Sequence, residues 1–191
     1  MAKDKKNATS LVKLTREQAV TTAHDLGYEY LTECAICSQA TLAALQDVFH
    51  IKNDDVFKAM TGFMGGGADT CKGFCGGLSG GIAAISCLFG RTRTEFDFRI
   101  WDLSLRMLVK KLIDSFDAEF DGTLCREVHM KMFGRTFDIF DKEQEKLFLE
   151  TLEKDKRGGC AYPVARGSAM AAEIIWDELH NPKRMAEDRF A

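Results

Sequence analysis

Residues 62–81, GFMGGGADTCKGFCGGLSGG, hold nine of the chain's 16 glycines and two of its seven cysteines. They contain no Gly-x-x-x-x-Gly-Lys-Ser/Thr pattern and no strand precedes them, which argues against a phosphate-binding loop. Cys71, Phe74 and Cys75 lie within the segment and an apolar helix follows directly, which argues against a flexible linker. We therefore predict a loop whose backbone closely approaches a ligand or a neighbouring helix, with positive φ angles at several positions.

Apolar residues recur three or four positions apart through almost the whole sequence, and only two prolines interrupt it. This periodicity predicts an all-α fold, a single-domain bundle of about six to eight helices with a Gly-rich loop. We expect a disordered tail over residues 1–10, one helical redox or metal-binding domain over residues 11–181, and a second tail over residues 182–191.

Two helices are predicted before residue 50. The first begins at Thr15, whose spacing to Gln18 is that of a capping box, and runs towards Gly27. The second carries both Cys34 and Cys37, which would then project from nearly the same helical face.

Six further helices complete the predicted bundle. A short one begins at about Asn53 and buries Phe63, and another begins near Cys75 and ends at Gly90. The remaining four cover about residues 95–120, 124–133, 141–154 and 163–179.

Composition and charge limit the class of function. The 191 residues carry a net charge of −3 and so offer no basic field for binding nucleic acid. The longest apolar run, Ile82 to Phe89, is far shorter than the roughly 20 residues that cross a bilayer, so we expect no membrane insertion. The polar N-terminal segment lacks the pattern of a secretory signal, which predicts a cytoplasmic protein.

The cysteines point to metal, cluster or redox chemistry, because an odd number in a cytoplasmic protein fits poorly with structural disulfides. Cys75 and Cys160 each precede a predicted helix, whose aligned N–H groups stabilise a thiolate and lower its pKa. By spacing alone, Cys34 and Cys37 form a four-thiol set with Cys71 and Cys75, of the kind that holds zinc or an iron–sulfur cluster.

His129 has a cysteine near it in sequence, since it follows Cys125 by four residues and can share its helical face. One such pair does not define a ligand set. We therefore favour a histidine at the surface or one satisfied by ordinary hydrogen bonds.

The ordered set Cys37, Cys75-Gly-Gly-Leu-Ser-Gly80, Cys125 and Cys160 resembles the C_GCAxxG_C_C family of redox-active proteins. Members of that family are small helical proteins with four characteristic cysteines and a Cys-Gly-Ala-x-x-Gly motif, in which this sequence has Gly77 in place of alanine. The stretches CSQATLAAL, GFMGGG, CREV and MAAEII add to the resemblance, which covers roughly residues 15–180.

A similar domain occurs in split-Soret cytochromes c, which are dimers that contain haem and an iron–sulfur centre. The resemblance implies that Cys37, Cys75, Cys125 and Cys160 bind an iron–sulfur cluster, most simply [2Fe–2S], for electron transfer. It also implies a homodimer that works with a redox partner protein. No Cys-x-x-Cys-His occurs in the sequence, so we expect no c-type haem.

Two alternatives stay open beside the cluster. A thiol–disulfide enzyme or sensor would use Cys75 or Cys160 as the catalytic nucleophile and a second cysteine to resolve the intermediate. A structural zinc protein would use the same thiols without redox chemistry. Cys34 and Cys71 are additional candidate metal ligands, and in the two redox cases the chain would serve as an oxidoreductase component.

Overall fold

A computed structural model describes residues 14–96 and 103–180, and within these ranges it contains eight α-helices and no strand. The predicted all-α class and number of helices are confirmed. Both predicted tails lie outside the described residues. So do Phe98 and Trp101, which belong to the helix predicted over about residues 95–120. None of the described helices is long and apolar enough to cross a membrane.

Two short 3-10 helices, Met60–Gly66 and Arg93–Glu95, accompany the eight α-helices. The α-helices are α1 (Arg16–Cys34), α2 (Cys37–Phe49), α3 (Asp54–Ala59), α4 (Gly76–Phe89), α5 (Leu103–Phe120), α6 (Cys125–Phe133), α7 (Lys142–Lys154) and α8 (Ala161–His180).

The main departure from the predicted helices lies at residue 35. The capping box of Thr15 and Gln18 is present, but α1 continues past Gly27 as far as Cys34. Ala35 then adopts the left-handed conformation, with φ 58°, and donates its N–H to the carbonyl of Leu31. This cap separates Cys34 from α2, so the prediction that Cys34 and Cys37 share one helix is wrong.

The segment after α3 also differs from its prediction. α3 passes directly into the 3-10 helix Met60–Gly66, whose tighter winding changes the direction of successive side chains. Met60 is buried, but Phe63 is 52% exposed and its predicted burial is wrong. The helix predicted from about Glu95 is likewise wrong at its start, where Arg93–Glu95 is a 3-10 turn and Phe96 follows it outside any helix.

The core forms where α1, α2, α4 and α8 pack against one another, with α5 against α4 and α8. Small residues let the backbones of these helices approach closely. A Cβ on Gly80 of α4 would lie 2.6 Å from the Ser38 carbonyl oxygen and 2.6 Å from the Thr41 Cβ, both in α2. On Gly77 a Cβ would overlap the carbonyl of Pro163 in α8, which gives a packing reason for glycine where the motif has alanine.

One partly buried ion pair joins α5 to α8. Arg166 donates two hydrogen bonds to Glu119, at 2.7 and 2.8 Å, and the Tyr162 hydroxyl donates a third at 3.0 Å. Burial favours the protonated form of Glu119, but these hydrogen bonds outweigh it and lower the pKa of its carboxyl below the ordinary 4.5.

Replacing Glu119 with glutamine is expected to lower the free energy of unfolding at pH 7 by about 1 to 2 kcal/mol, because a charge-assisted bidentate contact is lost. The pKa of Glu119 is lower in the folded than in the unfolded chain, so this stabilisation is complete above about pH 4.5 and is lost as the pH falls through the folded-state value. Urea unfolding of both proteins at pH 7 and near pH 3 should therefore show a difference that shrinks in acid. Asp114→Asn is the control, because its pair with Lys110 is exposed and should contribute less than about 0.5 kcal/mol.

Candidate functional site

The N-terminal ends of four helices meet at one cavity, and each brings a cysteine to it. Cys37 is the first residue of α2, Cys75 is the N-cap of α4, Cys125 is the first residue of α6, and Cys160 directly precedes α8. All four line a single cavity of about 390 Å³. Because helix N-termini carry partial positive charge, this arrangement favours anionic sulfur in the cavity.

The Gly-rich segment forms a tight bend at residues 65–67. Gly65, Gly66 and Gly67 have φ values of 53°, 73° and 89°, which L-amino acids with a side chain rarely adopt. The expectation of positive φ at several positions is confirmed. In this bend the Gly65 N–H donates a hydrogen bond to the Cys37 Sγ, with 3.4 Å between nitrogen and sulfur.

Two glycines leave room for two of the cysteines. A Cβ on Gly76 would lie 2.6 Å from the Cβ of Cys37, and a Cβ on Gly66 would lie 2.7 Å from the Cβ of Cys125. Contacts this short do not occur between real atoms, so a side chain at either position would displace the cysteine. The glycines therefore act mainly as close-approach positions for the thiols.

Backbone hydrogen bonds fix the loop before α4 to the start of α6. The N–H of Cys75 donates to the carbonyl of Thr123, and the N–H of Cys125 donates to the carbonyl of Gly73, each at 2.9 Å. These two bonds determine how Cys75 and Cys125 are placed relative to each other.

A fifth thiol and a histidine complete the wall. The Sγ of Cys71 lies 3.9 Å from the Nδ1 of His129. On the other side of the ring, the Nε2 of His129 lies 3.8 Å from the sulfur of Cys125 and 3.8 Å from that of Cys160. The donor atoms of Cys71, Cys125 and His129 all lie within 4.8 Å of one another, a grouping that can hold a metal ion. His129 is only 4% exposed and lines the cavity, so of our two preferred alternatives the surface position is wrong.

The ring of His129 is held by aromatic neighbours. Phe133, Phe137 and Phe148 have ring centroids 5.3 to 5.9 Å from that of His129. These come from α6, the following loop and α7. The sequence signal for placing His129 near a thiol is its four-residue spacing from Cys125, which is one helical turn. The contacts of His129 with Cys71 and Cys160 arise from tertiary packing.

The expected lowering of the pKa at Cys75 and Cys160 is wrong. Burial, followed by the nearby Cys37 thiol, raises the pKa of Cys75 to about 12, although the backbone N–H groups of Gly77 and Leu78 oppose this. Burial likewise raises the pKa of Cys160 well above 9, with Cys75 and Cys37 adding to the effect. Desolvation of the sulfur exceeds the attraction of a single helix N-terminus at these positions.

Cys71 is the thiol whose pKa is lowered. A hydrogen bond from the Cys125 thiol, together with His129, lowers the pKa of Cys71 to about 5 against the opposing effect of burial. The same hydrogen bond raises the pKa of Cys125, because that thiol retains its proton to donate it. These opposite shifts make Cys71 the more acidic of the two thiols.

The two other cysteines lie outside this cavity. Cys34 is exposed at the C-terminal end of α1, and Cys87 is exposed in α4. Neither lines the cavity. Sequence spacing had suggested Cys34 as an additional ligand, but the break at Ala35 directs the chain away from that arrangement.

Comparison with known proteins yields one family. A family model described as "Putative redox-active protein (C_GCAxxG_C_C)" matches residues 35–174, which include α2 through most of α8 and all the residues that line the cavity except two near the end of α1. No curated protein and no solved structure matches the chain.

Proposed function

Because the chain belongs to the C_GCAxxG_C_C family of redox-active proteins, we propose that Cys37, Cys75, Cys125 and Cys160 bind an iron–sulfur cluster. The simplest such cluster is [2Fe–2S], serving electron transfer. The observation that carries this proposal is the meeting of four thiols, each from the start of a different helix, at one cavity. When bound, the cluster would take up and release one electron at a time.

The donor set fits a cationic iron centre. The ionised thiols would repel one another, since Cys37 raises the pKa of Cys75, and Cys75 raises the pKa of both Cys125 and Cys160. Bound iron removes this repulsion by replacing the thiol protons. Apolar side chains such as Leu31, Met64 and Phe148 line the cavity beside the sulfurs.

Backbone N–H groups would tune such a centre. Gly65 donates a hydrogen bond to the Cys37 sulfur. Hydrogen bonds to ligating sulfurs stabilise negative charge on them and so favour the reduced state of a cluster. The Gly-rich loop would thus influence the reduction potential.

A mononuclear zinc site is a second candidate, favoured by a specific observation. The donors of Cys71, Cys125 and His129 lie close enough to share one ion, and the sulfur of Cys160 lies near the same histidine. Zinc prefers four sulfur and nitrogen ligands of this kind. Such a site would not require Cys37 or Cys75.

Thiol–disulfide chemistry is the remaining alternative, and the structure shifts it to other residues. Its nucleophile would be Cys71 rather than Cys75 or Cys160, because only Cys71 has a lowered pKa among the cysteines of the cavity. Cys125 would be its partner, since the sulfurs of the two cysteines lie within 4.8 Å of each other.

Metal and sulfide analysis of protein purified without oxygen separates these functions. We expect iron and inorganic sulfide in equal amounts, with a brown colour and absorption in the visible region. Zinc without sulfide would favour the second candidate. A colourless, metal-free protein that cannot be reconstituted with iron and sulfide would overturn the proposal.

We further propose that the protein is a cytoplasmic homodimer, and that it exchanges electrons with a partner protein as one component of an oxidoreductase. The dimer and the redox partner come from the resemblance to split-Soret cytochromes c. Light scattering of the loaded protein tests the dimer directly.

A further inference from the structure

The cavity has a second, apolar portion of wall that none of the cysteines supplies. Leu31 comes from the end of α1 and Met64 from the 3-10 helix, while Phe148, Leu149 and Leu152 come from α7. The volume of about 390 Å³ far exceeds the roughly 30 Å³ share of one water molecule. It falls in the range of about 300 to 1,000 Å³ that is usual for small-molecule sites.

Charge restricts what can enter. Apart from the thiols and His129, the ionisable side chain on the wall is Asp69, whose carboxylate lies against Gly65. The Asp69 carboxylate is partly balanced by the positive helix N-termini that meet at the cavity. A charged guest would lose its hydration on entering, whereas an uncharged apolar guest would gain from burial.

We propose that this cavity binds a small, uncharged aromatic molecule of the quinone and hydroquinone class beside the thiols. The apolar wall and the cost of burying a charge define an uncharged apolar ligand. The choice of a redox-active aromatic rests on the proposed function, because a one-electron centre needs a carrier that can approach it closely.

Helix α7 forms the movable part of this wall. None of its residues is buried, although Phe148, Leu149 and Leu152 face the cavity. The helix makes few backbone contacts with the other elements. An isolated helix of 13 residues is marginally stable in water, so the position of α7 depends on a few side-chain contacts such as Phe148 with Phe137, at 5.1 Å between centroids.

Turns with positive φ lie on both sides of α7. Gly134 precedes it with φ 70°, and Gly158 and Gly159 follow it with φ 87° and 59°. Segments with few buried contacts open locally at low free-energy cost. Opening of α7 would admit the ligand, and the bound ligand would then hold α7 against the wall.

The test uses durohydroquinone, which under anaerobic conditions neither alkylates nor oxidises thiols, and equilibrium dialysis against the full chain. We expect Leu149→Glu to weaken binding at least about tenfold, because it places a carboxylate on the cavity wall. Leu149 is 53% exposed, so the change should not unfold the protein. Leu147→Glu is the matched control, since Leu147 is an exposed residue of the same helix that does not line the cavity.

Two further readouts complete the test. Durohydroquinone should slow amide hydrogen exchange in residues 142–154, and 2,4,6-trimethylbenzoate, an anion of similar size, should bind at least about tenfold more weakly. Binding is measured with metal-free and with iron-loaded protein. Absence of binding in both forms, or equal weakening by Leu147→Glu and Leu149→Glu, would overturn the inference. Binding by a protein that never takes up iron would support the ligand site while defeating the proposed cluster.

Discussion

Replacing Cys75 with serine is expected to abolish the iron–sulfur cluster, reducing bound iron and visible absorbance by more than about tenfold. Cys75 is buried at the N-cap of α4 and lines the cavity with the three other proposed ligands. A serine hydroxyl is a poor ligand for iron in this setting. Mutating a group that only hydrogen-bonds to a ligand typically lowers metal affinity about 10- to 100-fold, so loss of a direct ligand should lower it more. Iron and sulfide content after anaerobic reconstitution measures the effect.

Two other cysteine variants make this result specific. Cys87→Ser should leave the cluster unchanged, because Cys87 is an exposed residue of the same helix that does not line the cavity. Cys71→Ser should also retain it, since Cys71 is outside the proposed ligand set. If Cys71→Ser removed the metal while Cys75→Ser kept it, the site would be the mononuclear one with Cys125 and His129.

Replacing Gly80 with alanine is expected to lower the free energy of unfolding by about 2 kcal/mol. The new Cβ would lie 2.6 Å from the Ser38 carbonyl oxygen, which belongs to the backbone of α2 and cannot rotate away. Alanine gains up to about 1 kcal/mol in helix propensity over glycine, but separating two packed helices costs more. Urea unfolding of the metal-free protein under reducing conditions measures the difference.

Gly62→Ala is the matched control for Gly80→Ala. A Cβ on Gly62 would meet nothing within 4 Å, so its effect should stay within about 0.5 kcal/mol. Gly80→Ala should also weaken iron binding, because Ser38 adjoins Cys37. Equal stability of the two variants would show that α2 and α4 do not pack as closely as described.

Periodicity predicted most of the fold because the apolar faces of α2, α4 and α8 repeat at helical spacing and all enter the core. It missed the break after Cys34, because the left-handed residue there is Ala35 rather than glycine. The positions of Phe63 and of the turn at Arg93–Glu95 were missed for a related reason. Helical spacing does not distinguish a 3-10 segment from an α-helix.

For the candidate site too, the sequence indicated some features and missed others. The order of the cysteines and the glycine motif carry the family resemblance, which implies Cys37, Cys75, Cys125 and Cys160 as ligands, and all four line the cavity. The positions of His129 and Cys71 depend on contacts between α6, α8 and the loop before α4, which no local pattern encodes. The predicted lowering of the pKa at Cys75 was wrong because of burial, which only the folded structure determines. Burial raises that pKa more than the helix N-terminus lowers it.

The most direct test of the central claim is an anomalous difference map at the iron edge, from crystals of anaerobically reconstituted protein. We expect iron within bonding distance of the sulfurs of Cys37, Cys75, Cys125 and Cys160, in the cavity where the four helices begin. Iron bound elsewhere, or held only by Cys71, Cys125 and His129, would contradict it.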